Sequence, residues 1–305
     1  MSEKTWQMPD GIYTALVTPF KEGELDRDAW RRLVQRQLDA GVSGLVPVGC
    51  TGEAAVLSRD EKEWLVRTCV EMAAGNCAVV AGAGSNSTAA TVDGTRDVAA
   101  WGADAAMLIT PYYNKPQQAG LVEHYLTVAR AVDIPLVLYN VPGRTAVNLL
   151  PATVAELSSR PSVVALKEAS GDLDQIESAI GQCDLKVFSG DDGLNFGIFG
   201  LGGHGAISVV SNLLPGAMVR FWKAWEAGDI AAAWWIARAL DPVARNCFLE
   251  SNPVPVKELL HLAGLCEPEP RLPLVTAGPE TRQILRLFHE QVLADLLAND
   301  LEGGS

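Results

Sequence analysis

No apolar run in the chain approaches the roughly 20 residues that a membrane-spanning helix needs, so no transmembrane segment is expected. The opening "MSEKTWQMPDG" is polar and has no apolar core of the kind a secretory leader carries, so no signal peptide is expected. Basic residues are in deficit. The formal net charge is −13, which disfavours nucleic-acid binding, since that needs a basic face. Paired cysteine spacings are missing as well. The six cysteines (Cys50, Cys69, Cys77, Cys183, Cys247 and Cys266) show no C-x-x-C, as expected of reduced, mostly buried thiols in the cytoplasm. The four histidines are equally scattered and no H-E-x-x-H occurs, so no metal site is expected. An early G-x-G-x-x-G is absent, and "GAGSNS" reads only as a glycine-rich turn, which argues against a dinucleotide site.

What is present is a core-forming sequence, 48% hydrophobic and 20% charged. Short apolar runs alternate with amphipathic stretches. "GIYTALVTPF" precedes "LDRDAWRRLVQRQLDAG", and "GLVPVG" precedes "SRDEKEWLVRTCVEMAAG", where Ser58 and Glu61 form a capping-box pattern. "AVVAGAG", "AAMLITP", "PLVLYNV", "VVALKEA", "LKVFSG" and "GAISVVSN" follow, each with a helical partner. Eight strand–helix units by about residue 228 predict an α/β fold, a closed (β/α)8 TIM barrel. A doubly wound open sheet is the competing arrangement and usually has fewer strands. From residue 229 onward the chain is helical in pattern. Residues 1–228 therefore read as a barrel domain and residues 229–305 as a C-terminal helical extension that covers the barrel and builds subunit contacts. The final "EGGS" reads as frayed.

Active sites of such barrels lie at the C-terminal strand ends. Those ends carry Thr18, "GCTGE" (Gly49–Glu53), "TPYYN" (Thr110–Asn114), "YNVPGRT" (Tyr139–Thr145), Lys167 and "SGDD". A lysine at the end of a buried strand loses hydration, its pKa falls, and its lone pair becomes available to attack a ketone. A buried ion pair with Glu168 or a snorkelling side chain is the plainer alternative. Adjacent strand residues face opposite ways, so Glu168 should not share the barrel interior with Lys167. Tyr139 suits proton relay or plain packing. Arg144 suits bidentate grip of a carboxylate or simple solvation. The glycines of "GCTGE" permit either an anion-holding nest of N–H groups or an ordinary tight turn.

"GCTGEA", "TPYYNKP", "YNVPGRT", "VVALKEASG", "SGDD", "GHGAISVVSN" and "ESNPVPVK" occur in that order. Together they resemble the dihydrodipicolinate synthase / N-acetylneuraminate lyase family of pyruvate-dependent class I aldolases, over about Gly11 to the C-terminus. "YNVPGRT" with "ESNPVPVK" lies nearer the synthase branch. The resemblance implies a lyase of lysine and diaminopimelate biosynthesis that condenses pyruvate with L-aspartate 4-semialdehyde. It implies an imine on Lys167 and no separate cofactor. It also implies proton shuttling by Tyr139, a pyruvate carboxylate held by the backbone of Cys50 and Thr51, and an aldehyde carboxylate on Arg144. Backbone at Gly190 and Ile207 would line the pocket, and Tyr113 would enter a neighbouring copy's site. The partners implied are small molecules and further copies of the chain, as a dimer or a dimer of dimers (a homotetramer).

Two departures stand out. Cys50 occupies a place that is usually threonine in this family, and a thiol is a weak donor and acceptor, so the relay between tyrosines should be impaired or routed through water. A related aldolase, lyase or dehydratase for a 2-keto sugar acid or hydroxy-oxoacid, or a non-catalytic keto-acid-binding homologue, would tolerate that change. A phosphate-binding barrel using "SGDDG" and "GLGGHG" is disfavoured by its acidic residues. Arg59, Lys62 and Ala90 stand where lysine-inhibited relatives carry histidines and an acid. Cations facing a cationic ligand predict weak or absent feedback, and strong inhibition in a lysine titration at low concentration would refute this.

Overall fold

The computed structural model of the protein describes residues 6–300, so the expected fraying at residues 302–305 lies outside the described residues. Eight parallel strands run β1 (Gly11–Ala15), β2 (Gly44–Val46), β3 (Ala78–Gly82), β4 (Ala105–Ile109), β5 (Leu136–Asn140), β6 (Val163–Glu168), β7 (Lys186–Ser189) and β8 (Gly205–Ser208). Each pairs with its sequence neighbours and β8 returns to β1, closing the expected barrel. The closing pair is Gly11 opposite Gly205. Gly205 has φ +140°, and a Cβ there would run into the carbonyl oxygen of Gly11, so the seam admits only glycine.

Eight helices cover the strands: α1 (Arg27–Ala40), α2 (Arg59–Ala73), α3 (Thr88–Ala100), α4 (Gln118–Ala131), α5 (Pro151–Ser158), α6 (Leu173–Gln182), α7 (Asn195–Gly200) and α8 (Pro215–Glu226). A one-turn helix, Pro142–Thr145, precedes α5. Their starts follow the capping chemistry of the sequence. Asp26, Ser87 and Asp172 each accept a backbone N–H of the first turn, and Ser58 with Glu61 completes a capping box on α2. On α1, Ala29, Trp30, Leu33, Val34 and Gln37 are buried, a spacing of three and four that turns one stripe to the sheet.

The apolar interior forms two layers. One lies between strands and helices and includes Leu45, Leu136, Leu138 and Leu166. The other fills the barrel and includes Tyr13, Val46, Val80, Met107, Val137, Tyr139, Ala165, Phe188 and Ile207. The split follows the twofold period of a strand: Ala165 points inward and Leu166 outward. Tyr13 and Phe188 pack edge to face at 5.4 Å inside the barrel.

After α8 the described chain is helical: α9 (Ile230–Asn246), α10 (Val254–Leu262) and α11 (Pro279–Phe288), then a π-turn over His289–Leu293 and a last helix over Ala294–Ala298. This region is tied to the barrel. Buried Asp300 accepts from the backbone of Gly216 and Ala217 at the start of α8 and pairs with Arg36 of α1 at 3.3 Å. No helix among the described residues is long and apolar enough to cross a membrane.

Candidate active site

The alternation in "VVALKE" decides where Lys167 and Glu168 go. Lys167 is 5% exposed, and its ammonium nitrogen lies 4.3 Å from the centre of the Tyr139 ring, its register partner on β5. Among the described residues the lysine ion pairs are Lys186–Asp10 and Lys257–Glu53, so Lys167 is not locked to an acid. Burial lowers its pKa from 10.5 to about 8; Cys50 and Asp192 pull it back up, and Arg144 adds to the fall. Gly190 makes room for it, since a Cβ there would come within 3.0 Å of the lysine Cε.

Glu168 turns the other way, to a network of its own. Its carboxylate accepts from Asn140 Nδ2 at 3.0 and 3.1 Å and from the Ser170 N–H at 2.7 Å. Burial raises its pKa and those hydrogen bonds oppose the rise. Asn140 Oδ1 accepts the Leu149 N–H at 2.9 Å, and Asn140 Nδ2 also donates to Asn148. The ends of β5 and β6, which present Tyr139 and Lys167, are thereby fixed from outside the barrel.

Tyr139 is buried, and its hydroxyl pKa is raised well above the usual value by burial first, then by the neighbouring Cys50, while Arg144 opposes the rise. The phenol therefore stays protonated, ready to lend and recover a proton. A cavity of 850 Å³ opens beside it, lined by Gly49, Cys50, Tyr139, Arg144, Thr145 and Asn252 among others. It runs on past Val56 to Arg59, Lys62 and Ala90. Arg59 is held by Asp97 through bonds of 2.8 and 2.7 Å. Arg144, on the one-turn helix, reaches the cavity with Nη2 donating to the Asn252 carbonyl at 3.0 Å. Ile207, 1% exposed, belongs to the barrel interior. Tyr113 stands apart from the cavity: it is 87% exposed and its φ is +72°, an uncommon conformation for a residue with a side chain.

The loop carrying Cys50 and Thr51 is pinned by residues the sequence motifs did not assign. Thr18 Oγ1 donates to the Gly52 carbonyl at 2.7 Å. Glu53 accepts from Lys257 Nζ at 2.7 Å and from the Arg271 N–H at 2.9 Å, and Lys257 also donates to the Thr18 carbonyl at 2.9 Å. Asn252 Nδ2 donates to Thr51 Oγ1 at 2.9 Å. "ESNPVPVK" did contain Asn252 and Lys257. The available signal was a lone lysine inside the apolar helix α10, which needs a buried acceptor. Among the described residues no three His, Cys, Asp or Glu side chains gather as a metal-binding cluster.

Comparison with known proteins shows which family the chain falls in. The model of the Dihydrodipicolinate synthetase family matches residues 8–291. The chain belongs to that family. A 4-hydroxy-tetrahydrodipicolinate synthase of Maridesulfovibrio salexigens is 47% identical over 268 residues, spanning 87% of this chain and 92% of the relative. The crystal structure of a dihydrodipicolinate synthase from Thermotoga maritima matches with a TM-score of 0.93 at 41% identity, over 95% of this chain and 100% of the other. That of a chloride-inhibited dihydrodipicolinate synthase from Acinetobacter baumannii, complexed with pyruvate, matches with a TM-score of 0.90 at 38% identity, over 93% and 98%. The synthetase family thus accounts for nearly the whole described fold.

Proposed function

We propose that this chain is a 4-hydroxy-tetrahydrodipicolinate synthase, a class I aldolase-type lyase that joins pyruvate to L-aspartate 4-semialdehyde in lysine and diaminopimelate biosynthesis. The observation that carries the reading is the buried Lys167 amine, unpaired with any acid among the described residues and lowered to about 8, beside Tyr139. About a tenth of such an amine is uncharged at neutral pH, against well under a thousandth of an ordinary lysine. The free amine adds to C2 of pyruvate, and loss of water gives the imine. Tyr139 supplies and takes back the protons. The iminium acts as electron sink, so no separate cofactor is required. Deprotonation at C3 gives an enamine, which attacks the aldehyde carbon. The amino group of the second substrate then displaces the lysine as the ring closes.

In this reading the backbone of Cys50 and Thr51 receives the pyruvate carboxylate, and Arg144 receives that of the aldehyde. Backbone at Gly190 and Ile207 lines the pyruvate end. Exposed Tyr113 reaches the site of a second copy, so the working unit is a dimer or a dimer of dimers (a homotetramer) in the cytoplasm. Residues 1–228 form the catalytic barrel and residues 229–305 the helical extension.

Borohydride reduction in the presence of pyruvate, followed by peptide mapping, tests the imine. The expected product is a stable pyruvate-derived adduct on the peptide carrying Lys167; an unlabelled Lys167 overturns the proposal. A coupled assay with aspartate semialdehyde then separates the synthase from lyases for other substrates. Cys50 makes a further prediction. A hydroxyl there donates and accepts more strongly than a thiol. Cys50→Thr is expected to raise kcat by roughly two- to tenfold, a small part of the roughly 10²–10⁴-fold that a positioned proton-transfer group contributes. An unchanged or lower kcat in the same assay refutes a thiol-limited relay.

A further inference from the structure

The pyruvate end and the Arg144 end of the cavity are built on strands β2 and β5, which do not pair with each other. One residue touches both ends. Asn252 Nδ2 donates to Thr51 Oγ1 at 2.9 Å, and the Asn252 carbonyl accepts from Arg144 Nη2 at 3.0 Å. Asn252 is 6% exposed and lines the same cavity. We propose that Asn252 is a positioning residue that joins the two substrate-binding ends, holding Thr51 with its side chain and Arg144 with its backbone. The inference rests on the synthase reading, because that reading assigns one carboxylate to each end.

Three features make Asn252 more than a bystander. Its Oδ1 is buried and unpartnered among the described residues, a placement that costs stability and is not explained by packing. Arg144 is otherwise an exposed side chain on a four-residue helix, and the Asn252 carbonyl is what fixes one end of its fork. The segment bearing Asn252 cannot drift, because Lys257 farther along anchors it through Glu53 and the Thr18 carbonyl. A shift of Thr51 is therefore passed to Arg144 through a single residue, and the reverse holds too.

The link predicts a kinetic pattern that a general loss of stability does not produce. Asn252→Ala removes the side-chain bond, and the Michaelis constants for both pyruvate and the aldehyde are expected to rise by about tenfold, the scale of one lost hydrogen bond. kcat is expected to fall much less, because the link touches no reacting atom. Thr51→Val breaks the same bond from the other end, and it too is expected to raise the constant for the aldehyde, which Thr51 does not contact. The double variant is expected to be no worse than either single one, since both remove one interaction. Steady-state kinetics on the wild type and the three variants, with thermal melting alongside, reads this. Variants that melt earlier while keeping both constants at wild-type values overturn the proposal. So does a Thr51→Val protein that changes the constant for pyruvate alone. If Asn252→Ala does not fold, Thr51→Val decides by itself. A wild type that does not turn over aspartate semialdehyde at all defeats the synthase reading instead, and the two failures are thereby distinct.

Discussion

Replacing Lys167 by methionine is expected to abolish turnover, with kcat down roughly 10³-fold or more, while the fold becomes more stable. The two effects share one cause. The amine sits 5% exposed with no acidic partner among the described residues, and burial brings it down to about 8. In the unfolded chain the same amine titrates near 10.5. A basic group whose folded pKa lies below its unfolded one destabilises the fold wherever the unfolded chain holds the extra proton. That penalty is fully present below about pH 8 and disappears as the pH rises past 10.5. Near neutrality it is on the order of 3 kcal/mol. Methionine has similar reach and no charge to desolvate. The variant should therefore melt a few degrees above the wild type at pH 7, and the gap should close between pH 8 and 10.5, where the wild type recovers. Wild-type imine formation should climb over the neutral range and level off above about pH 8, as the free amine saturates. Methionine at Lys167 with full activity, or a rate of borohydride trapping flat from pH 6.5 to 9, refutes the role given to this amine.

The barrel and the facing of the side chains at its strand ends were legible because both depend on neighbours in sequence. A twofold period inside "VVALKE" decides that Lys167 goes in and Glu168 goes out, and the structure follows it. Helix starts were readable at Ser58 because the cap and its reciprocal glutamate lie three residues apart. What could not be read is what distant segments do when they meet. Asn252 and Thr51 are 201 positions apart, and Lys257 and Glu53 are 204 apart. No periodicity joins them; they meet because the C-terminal helical segment folds back onto the loop that follows β2. Arg144 shows the same limit. The sequence presents a guanidinium in a Pro-Gly turn, but not the carbonyl of Asn252 that orients it.

The pair that closes that distance is expected to be the most sensitive point in the molecule's stability. Lys257 is wholly buried, and its partner Glu53 is nearly so. Burial pulls the lysine's pKa down, while Glu53 at 2.7 Å pushes it back up. Lys257→Met leaves the buried Glu53 carboxylate with the Arg271 N–H at 2.9 Å as its one remaining hydrogen-bond donor among the described residues. Stranding one charge of a buried pair costs about 3–5 kcal/mol, which corresponds to a drop of roughly 5–8 °C in Tm for a chain of this size. Removing both charges together is a different matter. A neutral, similarly shaped pair carries no stranded charge, and such replacements are often near neutral. Glu53→Gln combined with Lys257→Met is therefore expected to recover most of the lost melting temperature. It should not recover binding. The Thr18 carbonyl still loses its donor, and Thr18, whose hydroxyl holds the Gly52 carbonyl, is left less firmly anchored, so the loop that carries Cys50 and Thr51 loosens. Calorimetry and pyruvate titration on the single and double variants separate the two effects. A double variant that regains both Tm and the wild-type constant for pyruvate shows the pair to be mere mortar; one that regains Tm alone shows that the C-terminal helices complete the active site.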